Sequence, residues 1–282
     1  MIILFVSPML LQKIDQPFDS DDFITELKLD GIRLIYSVDK NGKVRIYSRH
    51  NNEITSKFPE LHTINIPPGT ILDGELIVSD NNGKPDFEAM MSRFQSSKNR
   101  VPVSYVVFDV IEYQGQRVTN LPLIKRKELL NEIIPVDTAL LSKVQYILGN
   151  AQAYFEVVCQ QELEGIVLKR KDSKYKIGKR SHDDWFKIIN YKYTDVVITG
   201  MRKDEFGLLL GKQEGNTIKQ IGIMEYMNPK AKKQFYDQYS ELIVNEDKKF
   251  IYMKPSLKCR VKFRNYTKAG FLRIPTFIEY VS

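Results

Sequence analysis

Polar and apolar positions alternate along Glu26-Leu27-Lys28-Leu29-Asp30-Gly31-Ile32-Arg33. Leu27 and Leu29 take one face of an extended chain, and Glu26, Lys28 and Asp30 take the other. Asp30-Gly31 reads as a tight turn into a second strand over 33–38, so the region is expected to form a hairpin with one polar side. Another alternating strand, 43–49, follows the turn signal Asn41-Gly42. Pro67-Pro68-Gly69 breaks the chain before a strand at 70–78 that carries Asp73-Gly74-Glu75. Residues 86–94 have helical spacing, with Phe87, Met90, Met91 and Phe94 on one side. Residues 105–111 form an apolar strand interrupted by Asp109, and 123–134 and 151–161 read as amphipathic helices. A short apolar strand at 165–169 ends in a lysine, a basic irregular stretch at 170–180 reads as a solvated loop, and 185–188 restores a strand with the only tryptophan.

From about residue 191 the texture changes. Short strands at 195–201, 208–212 and 218–224 precede a helix over 229–242 that opens with proline at a favoured position, and two or three further strands finish the chain. That is the pattern of a small closed barrel such as an OB-fold. The boundary is expected between 189 and 193, giving domains 1–189 and 190–282.

Composition narrows the picture a little. Lys and Arg exceed Asp and Glu by 42 − 35 = 7, an excess compatible with a nucleic-acid partner without demanding one. Two cysteines, Cys159 and Cys259, form no zinc spacing and no disulfide framework, and His50, His62 and His182 fall in no ligand pattern. The apolar opening Met1-Ile2-Ile3-Leu4-Phe5-Val6 lacks the leading positive charge of a signal peptide and is too short to span a bilayer, so it reads as a buried strand. The expectation is a cytoplasmic protein with no membrane attachment.

The chemistry enters with an ordered set of motifs. In sequence order these are Glu26-x-Lys28-x-Asp30-Gly31-x-Arg33, Ser48-Arg49, Asp73-Gly74-Glu75, Phe108-Asp109, Glu164-Gly165-Ile166-Val167-Leu168-Lys169 and Trp185-Phe186-Lys187. Each alone is weak, but together and in this order they are specific. The chain resembles the covalent nucleotidyltransferases, above all minimal two-domain ATP-dependent DNA ligases of bacterial, phage and end-joining kinds. The resemblance implies an α+β nucleotidyltransferase (adenylation) domain, with ATP-grasp-like antiparallel sheets and flanking helices, followed by an OB-fold barrel.

It also implies roles. Lys28 matches the nucleophile that attacks the α-phosphate of ATP and holds AMP as a phosphoramidate. An ordinary lysine amine, with a pKa of roughly 10.4, must shed its proton before doing so. Lys169 and Lys187 match phosphate-binding lysines that offset charge in the transition state. Glu164 matches a metal-binding glutamate; Glu75 matches a ribose contact and a second candidate metal ligand. Phe108 matches the aromatic stacked on adenine, with core packing as the plain alternative. Glu26 lies where the family reads the adenine edge. Arg33 and Arg49 match arginines on nucleotide or nick phosphate. Asp30 matches an aspartate linked to the metal and the 3′-hydroxyl. Arg180 is a further phosphate candidate, balanced against a solvated loop.

Two departures stand out. Relatives carry Lys-x-Lys after the tryptophan, whereas here Ile189 takes the second lysine's place; Lys192 is a substitute whose strand parity differs from that of Lys187. Arg273-Ile274-Pro275-Thr276-Phe277 resembles the start of the last family motif, which orients pyrophosphate, but its usual Arg and Asp-Lys continuation is absent before Ser282. The expectation is slow lysine adenylylation or work done by Arg273 alone. Only 27 residues precede Lys28, too few for an NAD-binding module, which favours ATP with Mg²⁺ or Mn²⁺. The expected substrate is nicked duplex DNA, bound by a monomer, with a DNA-repair protein as a candidate recruiter. RNA ligase, mRNA capping guanylyltransferase and a non-catalytic DNA-binding protein are the competing readings.

Overall fold

The computed structural model describes residues 5–96 and 98–281. The strand expected at the N-terminus falls mainly on residues outside these; Val6 is buried with Met9, Ile24 and Trp185. By internal packing the chain divides into Met1–Asn190 and Tyr191–Ser282.

The first unit holds two sheets. One runs Gln12–Lys13, Trp185–Ile189, Gly165–Arg170, Phe23–Leu27, Tyr146–Leu148. The other runs Val44–Ser48, Ile32–Val38, Thr70–Ile77, Ser104–Tyr113, Gln116–Arg117, with Leu141–Lys143 added beside Ser104–Tyr113. The named strands pair antiparallel except for two short parallel pairs, Gln12–Lys13 on 186–187 and Leu141–Lys143 on 105–107, and Leu10 and Arg180 add an isolated parallel bridge. Alternation decides which side chains meet. Ile24 and Trp185 from the first sheet pack with Ile35, Tyr47, Ile71 and Ile111 from the second, so the sheets enclose a shared core. The far face of the second sheet, including Leu34, Tyr36 and Leu72, is covered by Met90 of the Phe87–Gln95 helix and by Leu130 and Ile133 of the Leu123–Ile133 helix. The far face of the first sheet packs Ile166, Leu168 and Ile188 on Ala151 and Val158 of the Ala151–Gln160 helix. Asp86 caps the Phe87–Gln95 helix by accepting from the Ala89 N–H at 2.9 Å.

The hairpin expected over 26–38 does not form. Phe23–Leu27 pairs with Gly165–Arg170 and Tyr146–Leu148, while Ile32–Val38 pairs with Val44–Ser48 and Thr70–Ile77. Residues 28–31 cross from one sheet to the other. Gly31 permits the crossing, because a Cβ there would stand 2.2 Å from the Leu76 carbonyl oxygen. Alternation sets the two faces of a strand but says nothing about its partner.

In the second unit, Lys192–Arg202, Leu208–Glu214 and Thr217–Met224 form a meander, and Lys258–Phe263 pairs with both Lys192–Arg202 and Thr276–Val281. The ring closes where the Phe277 N–H donates to the Tyr226 carbonyl at 2.9 Å and Tyr226 bridges Thr276 in parallel. The helix expected over 229–242 is shorter: Pro229–Tyr236, capped by Asn228, is followed by a separate 3-10 turn at Tyr239–Leu242. Four strands follow it, because Ile243–Glu246 and Phe250–Met253 add a short hairpin.

Candidate active site

Strand register places the polar side chains of the first sheet. Glu26 lies opposite Val167, Val167 opposite Lys187, and Lys169 opposite Trp185, so Glu26, Lys169 and Lys187 share one face with Trp185 and Ile24. That face looks onto the second sheet, where Arg33, Asp73 and Glu75 share the side of Ile35 and Ile71. The motif residues of the two sheets therefore meet in one cleft.

Lys28 follows the last residue of its strand, and its N–H continues the ladder by donating to the Gly165 carbonyl at 2.9 Å. Its Nζ donates to Glu164 Oε2 at 2.8 Å, with the lysine side chain 19% exposed and the glutamate 3%. Gly165 lies at φ +149°, where a Cβ would meet the Ile188 carbonyl oxygen at 2.0 Å, so only glycine lets Glu164 sit this close to the neighbouring strand. Glu75 faces the same charges. Desolvation pushes its carboxyl up to about 7, helped by Glu164 and Asp73 and opposed by Lys28 and Arg33. Between about 4.5 and 7 the folded protein thus holds a proton that the unfolded chain releases. This group makes stability fall as pH rises through that window.

Arg33 grips Asp73 through two bonds, Nε to Oδ1 at 2.9 Å and Nη2 to Oδ2 at 2.6 Å, and Tyr175 donates to the same Oδ2 at 2.6 Å. Burial alone would lower the Arg33 pKa, and Asp73 reverses the shift upward. Phe108 is the extra residue of a β-bulge, lying between the pairs Asp73–Asp109 and Gly74–Val107. A bulge re-aims one side chain without ending the strand. The half-buried Phe108 ring is met by Lys169 Nζ at 4.5 Å and by the Arg33 guanidinium at 5.2 Å. Lys169 is buried; desolvation lowers its pKa to about 8, with Lys127 adding to the fall and Glu26 opposing it.

Glu26 carries two cations, Lys169 at 2.7 Å and Lys127 at 2.5 Å. Sequence reading missed Lys127, and with it the pairing of Arg126 to Asp109. Both residues sit on a helix read as amphipathic, where charged side chains are assigned to water. Their spacing with Leu123, Leu130 and Ile133 is the signal that puts them on the buried face.

Asp30 lies on the crossing segment, half-buried. Arg49 is exposed just past Ser48, whose partner Leu34 adjoins Arg33. Arg180 is exposed and donates to the Leu11 carbonyl. Ile189 is 7% exposed on the Lys187 face, an apolar plug at the position of the missing lysine. Lys192 and Arg273 belong to the second unit, Lys192 opening its first strand and Arg273 preceding its last. Among the described residues no group of three or more His, Cys, Asp or Glu is placed to hold a metal ion, and no helix is long and apolar enough to cross a membrane. Cys159 and Cys259 are free thiols.

A two-sheet cleft with a lysine at the sheet crossing, carboxylates against its amine and further lysines behind it defines a covalent nucleotidyltransferase fold. The family model described as ATP dependent DNA ligase domain matches residues 8–188, and the chain belongs to that family. It is 46% identical, over 97% of its length and 98% of the relative's, to the SPbeta prophage-derived DNA ligase-like protein LigB of Bacillus subtilis. It is 26% identical, over 97% of its length, to the multifunctional non-homologous end joining protein LigD of Pseudomonas aeruginosa, of which it spans 35%. Among solved structures, the ligase domain of Mycobacterium tuberculosis LigD superposes with a TM-score of 0.61 at 25% identity, covering 98% of this chain and 95% of that one. A Lig E DNA ligase shares the fold with a TM-score of 0.68 at 19% identity, covering 96% and 99%.

Proposed function

We propose that this protein is an ATP-dependent DNA ligase that seals nicks in duplex DNA. The observation that carries the reading is the Lys28–Glu164 pair at the sheet crossing, with Glu75, Lys169 and Phe108 on the walls of the same cleft. Lys28 Nζ attacks the α-phosphate, an N–P bond forms, and pyrophosphate leaves. The AMP group then passes to the 5′-phosphate of the nick, breaking the N–P bond. The 3′-hydroxyl attacks that phosphate, AMP departs, and the strand is joined. Lys169 and Lys187 offset phosphate charge, Phe108 supports the base, Arg33 and Arg49 face nucleotide or nick phosphate, and Asp30 serves the sealing step. We read the second unit, Tyr191–Ser282, as the OB-fold, and it carries Arg273.

Glu75 and Glu164 fit a magnesium ion. Mg²⁺ is held by one or two carboxylates together with substrate phosphates, and a divalent cation would relieve the repulsion that helps keep the Glu75 carboxyl near 7. When bound, the ion supplies charge neutralisation at the phosphates. Because proton and cation compete for Glu75, the Mg²⁺ concentration needed for half-maximal lysine adenylylation should fall as pH rises from 6 to 8. Glu75→Gln should flatten that dependence. An unchanged Mg²⁺ requirement across this range in the wild type would remove Glu75 from the metal site.

The deciding experiment uses ATP labelled on the α-phosphate, followed by unlabelled nicked duplex. The expected course is label on protein, then on the 5′-phosphate, then free AMP as the nick closes. Label that passes only to RNA ends, or that derives only from GTP, would overturn the DNA ligase reading in favour of an RNA ligase or a guanylyltransferase.

A further inference from the structure

Tyr175 belongs to the basic stretch that composition assigns to water, yet it is only 4% exposed. Burial alternates there: Ser173 and Tyr175 are enclosed, while Lys174 and Lys176 are exposed. Such alternation is that of an extended chain with one face inward. The stretch is tied down as well, with the Tyr175 N–H donating to the Thr119 carbonyl at 2.9 Å. It continues directly from the Gly165–Arg170 strand, so one run of chain supplies both Lys169 and Tyr175.

The Tyr175 ring packs edge-on against Trp185, with centroids 5.8 Å apart. That contact accounts for the ring but not for the hydroxyl. The hydroxyl accepts from the Met9 N–H at 3.0 Å and donates to Asp73 Oδ2 at 2.6 Å. Asp73 is fully buried and already meets two Arg33 donors. A bidentate pair is strong, but its two groups can still swing together, because the carboxylate torsion of aspartate is broad. A third donor, brought from a different part of the chain, stops that swing. The clamp spends one Nε–H and one Nη2–H of Arg33, so the aim of both Nη1 hydrogens depends on how the pair is held. Arg33 and Lys169 approach the same Phe108 ring, at 5.2 and 4.5 Å, from different sheets.

We propose that Tyr175 is a positioning residue for Arg33: acting through Asp73, its hydroxyl fixes the guanidinium of the second sheet relative to Lys169 of the first. This rests on the reading of Arg33 and Lys169 as phosphate-facing cations of a DNA ligase. Charge that develops on a phosphate in the transition state is stabilised best by donors already in place, and a misplacement of about 1 Å costs roughly 100-fold in rate. The role calls for no contact with substrate and no proton transfer. It calls for a hydroxyl at a fixed point between the sheets, which a phenylalanine packed in the same core does not supply.

The test separates rate from folding. Tyr175→Phe keeps the ring against Trp185 and removes only the donor. Titration of the full chain with ATP labelled on the α-phosphate counts competent molecules. Single-turnover rates of lysine adenylylation, and of sealing a nick that already carries AMP, are then taken per competent molecule. The expected result is full labelling at the end point, with at least one of the two rates lowered roughly 10- to 100-fold and KM moved less than the rate. Because the effect runs through Arg33, it should nearly vanish in an Arg33→Lys background, where the fork on Asp73 is gone. A tyrosine that only fills the core would lower the melting temperature and the labelled fraction while leaving the rate per competent molecule unchanged, and that result overturns the proposal. So does an equal fold-loss in the wild-type and Arg33→Lys backgrounds. If Tyr175→Phe fails to fold, Asp73→Asn breaks the same chain one link on; the same loss of rate is expected, and unchanged rates there overturn the proposal. A wild type that never becomes labelled takes the ligase reading down and this inference with it, whereas a labelled wild type matched in rate by Tyr175→Phe overturns this inference alone.

Discussion

Lys28→Arg should lose lysine adenylylation and nick sealing from ATP by a factor on the order of 10⁴ to 10⁶, the scale seen when a covalent nucleophile is removed. Arginine is the informative replacement. It keeps a positive charge beside Glu164, whose side chain is only 3% exposed and would otherwise be left without the Lys28 partner. A guanidinium does not deprotonate in proteins, so it cannot supply a lone pair to phosphorus. Sealing of a nick that already carries AMP on its 5′-phosphate should survive in part, since that step needs no lysine nucleophile. A Lys28→Arg protein that still accepts label from ATP would transfer the nucleophile to another residue.

The largest stability effect is expected at Asp109. Arg126 binds it through Nε to Oδ1 at 2.7 Å and Nη2 to Oδ2 at 2.9 Å, and both side chains are fully buried. Asp109→Ala leaves the guanidinium enclosed without its counter-charge, which costs about 3–5 kcal/mol. For a unit of this size that lowers the melting temperature by roughly 6–20 °C. Asp109→Leu combined with Arg126→Met should recover much of the loss, because removing both charges also removes their desolvation. The pair Lys125–Glu128, one residue away from Arg126 but with both side chains more than half exposed, is the control; Glu128→Ala should shift stability by at most about 1 kcal/mol. Thermal melts of these variants decide the matter: an Asp109→Ala protein as stable as Glu128→Ala would remove the buried pair from any structural role. Asp109 also adjoins the bulged Phe108, so the same variant should disturb nucleotide binding beyond its loss of stability.

Much of the fold was legible because local signals and tertiary partners agree. The Asn41-Gly42 turn, the Thr70–Ile77 strand and the Phe87–Gln95 helix fall within a residue or two of their expected limits. What remained hidden depends on distant partners. The 26–38 hairpin was a fair inference from alternation, but Phe23–Leu27 pairs with residues some way past 140, and no local pattern reports that. The bulge that aims Phe108 arises from a mismatch between two strands, so neither strand's sequence displays it alone. Charged residues on the Leu123–Ile133 helix were assigned to solvent by their chemistry, although their spacing was that of the buried face. The helix after Pro229 was overextended because Asp237 and Gln238 carry no strong stop signal.

The crossing at residues 28–31 bears on the order in which the molecule is made. The second sheet is drawn from residues 32–117 with a late addition at 141–143, so most of it can assemble as the ribosome delivers it. The first sheet cannot. Phe23–Leu27 waits for Gly165–Arg170, and that strand in turn pairs with Trp185–Ile189. Long-range pairing of this kind is slow, because loop-closure entropy must be met before the contacts form. Lys28 is thus synthesised well before Glu164, Lys169 and Lys187, which arrive with the later strands of the same unit. The nascent chain therefore carries its lysine unarmed until the first unit is nearly complete, when the amine gains its surroundings.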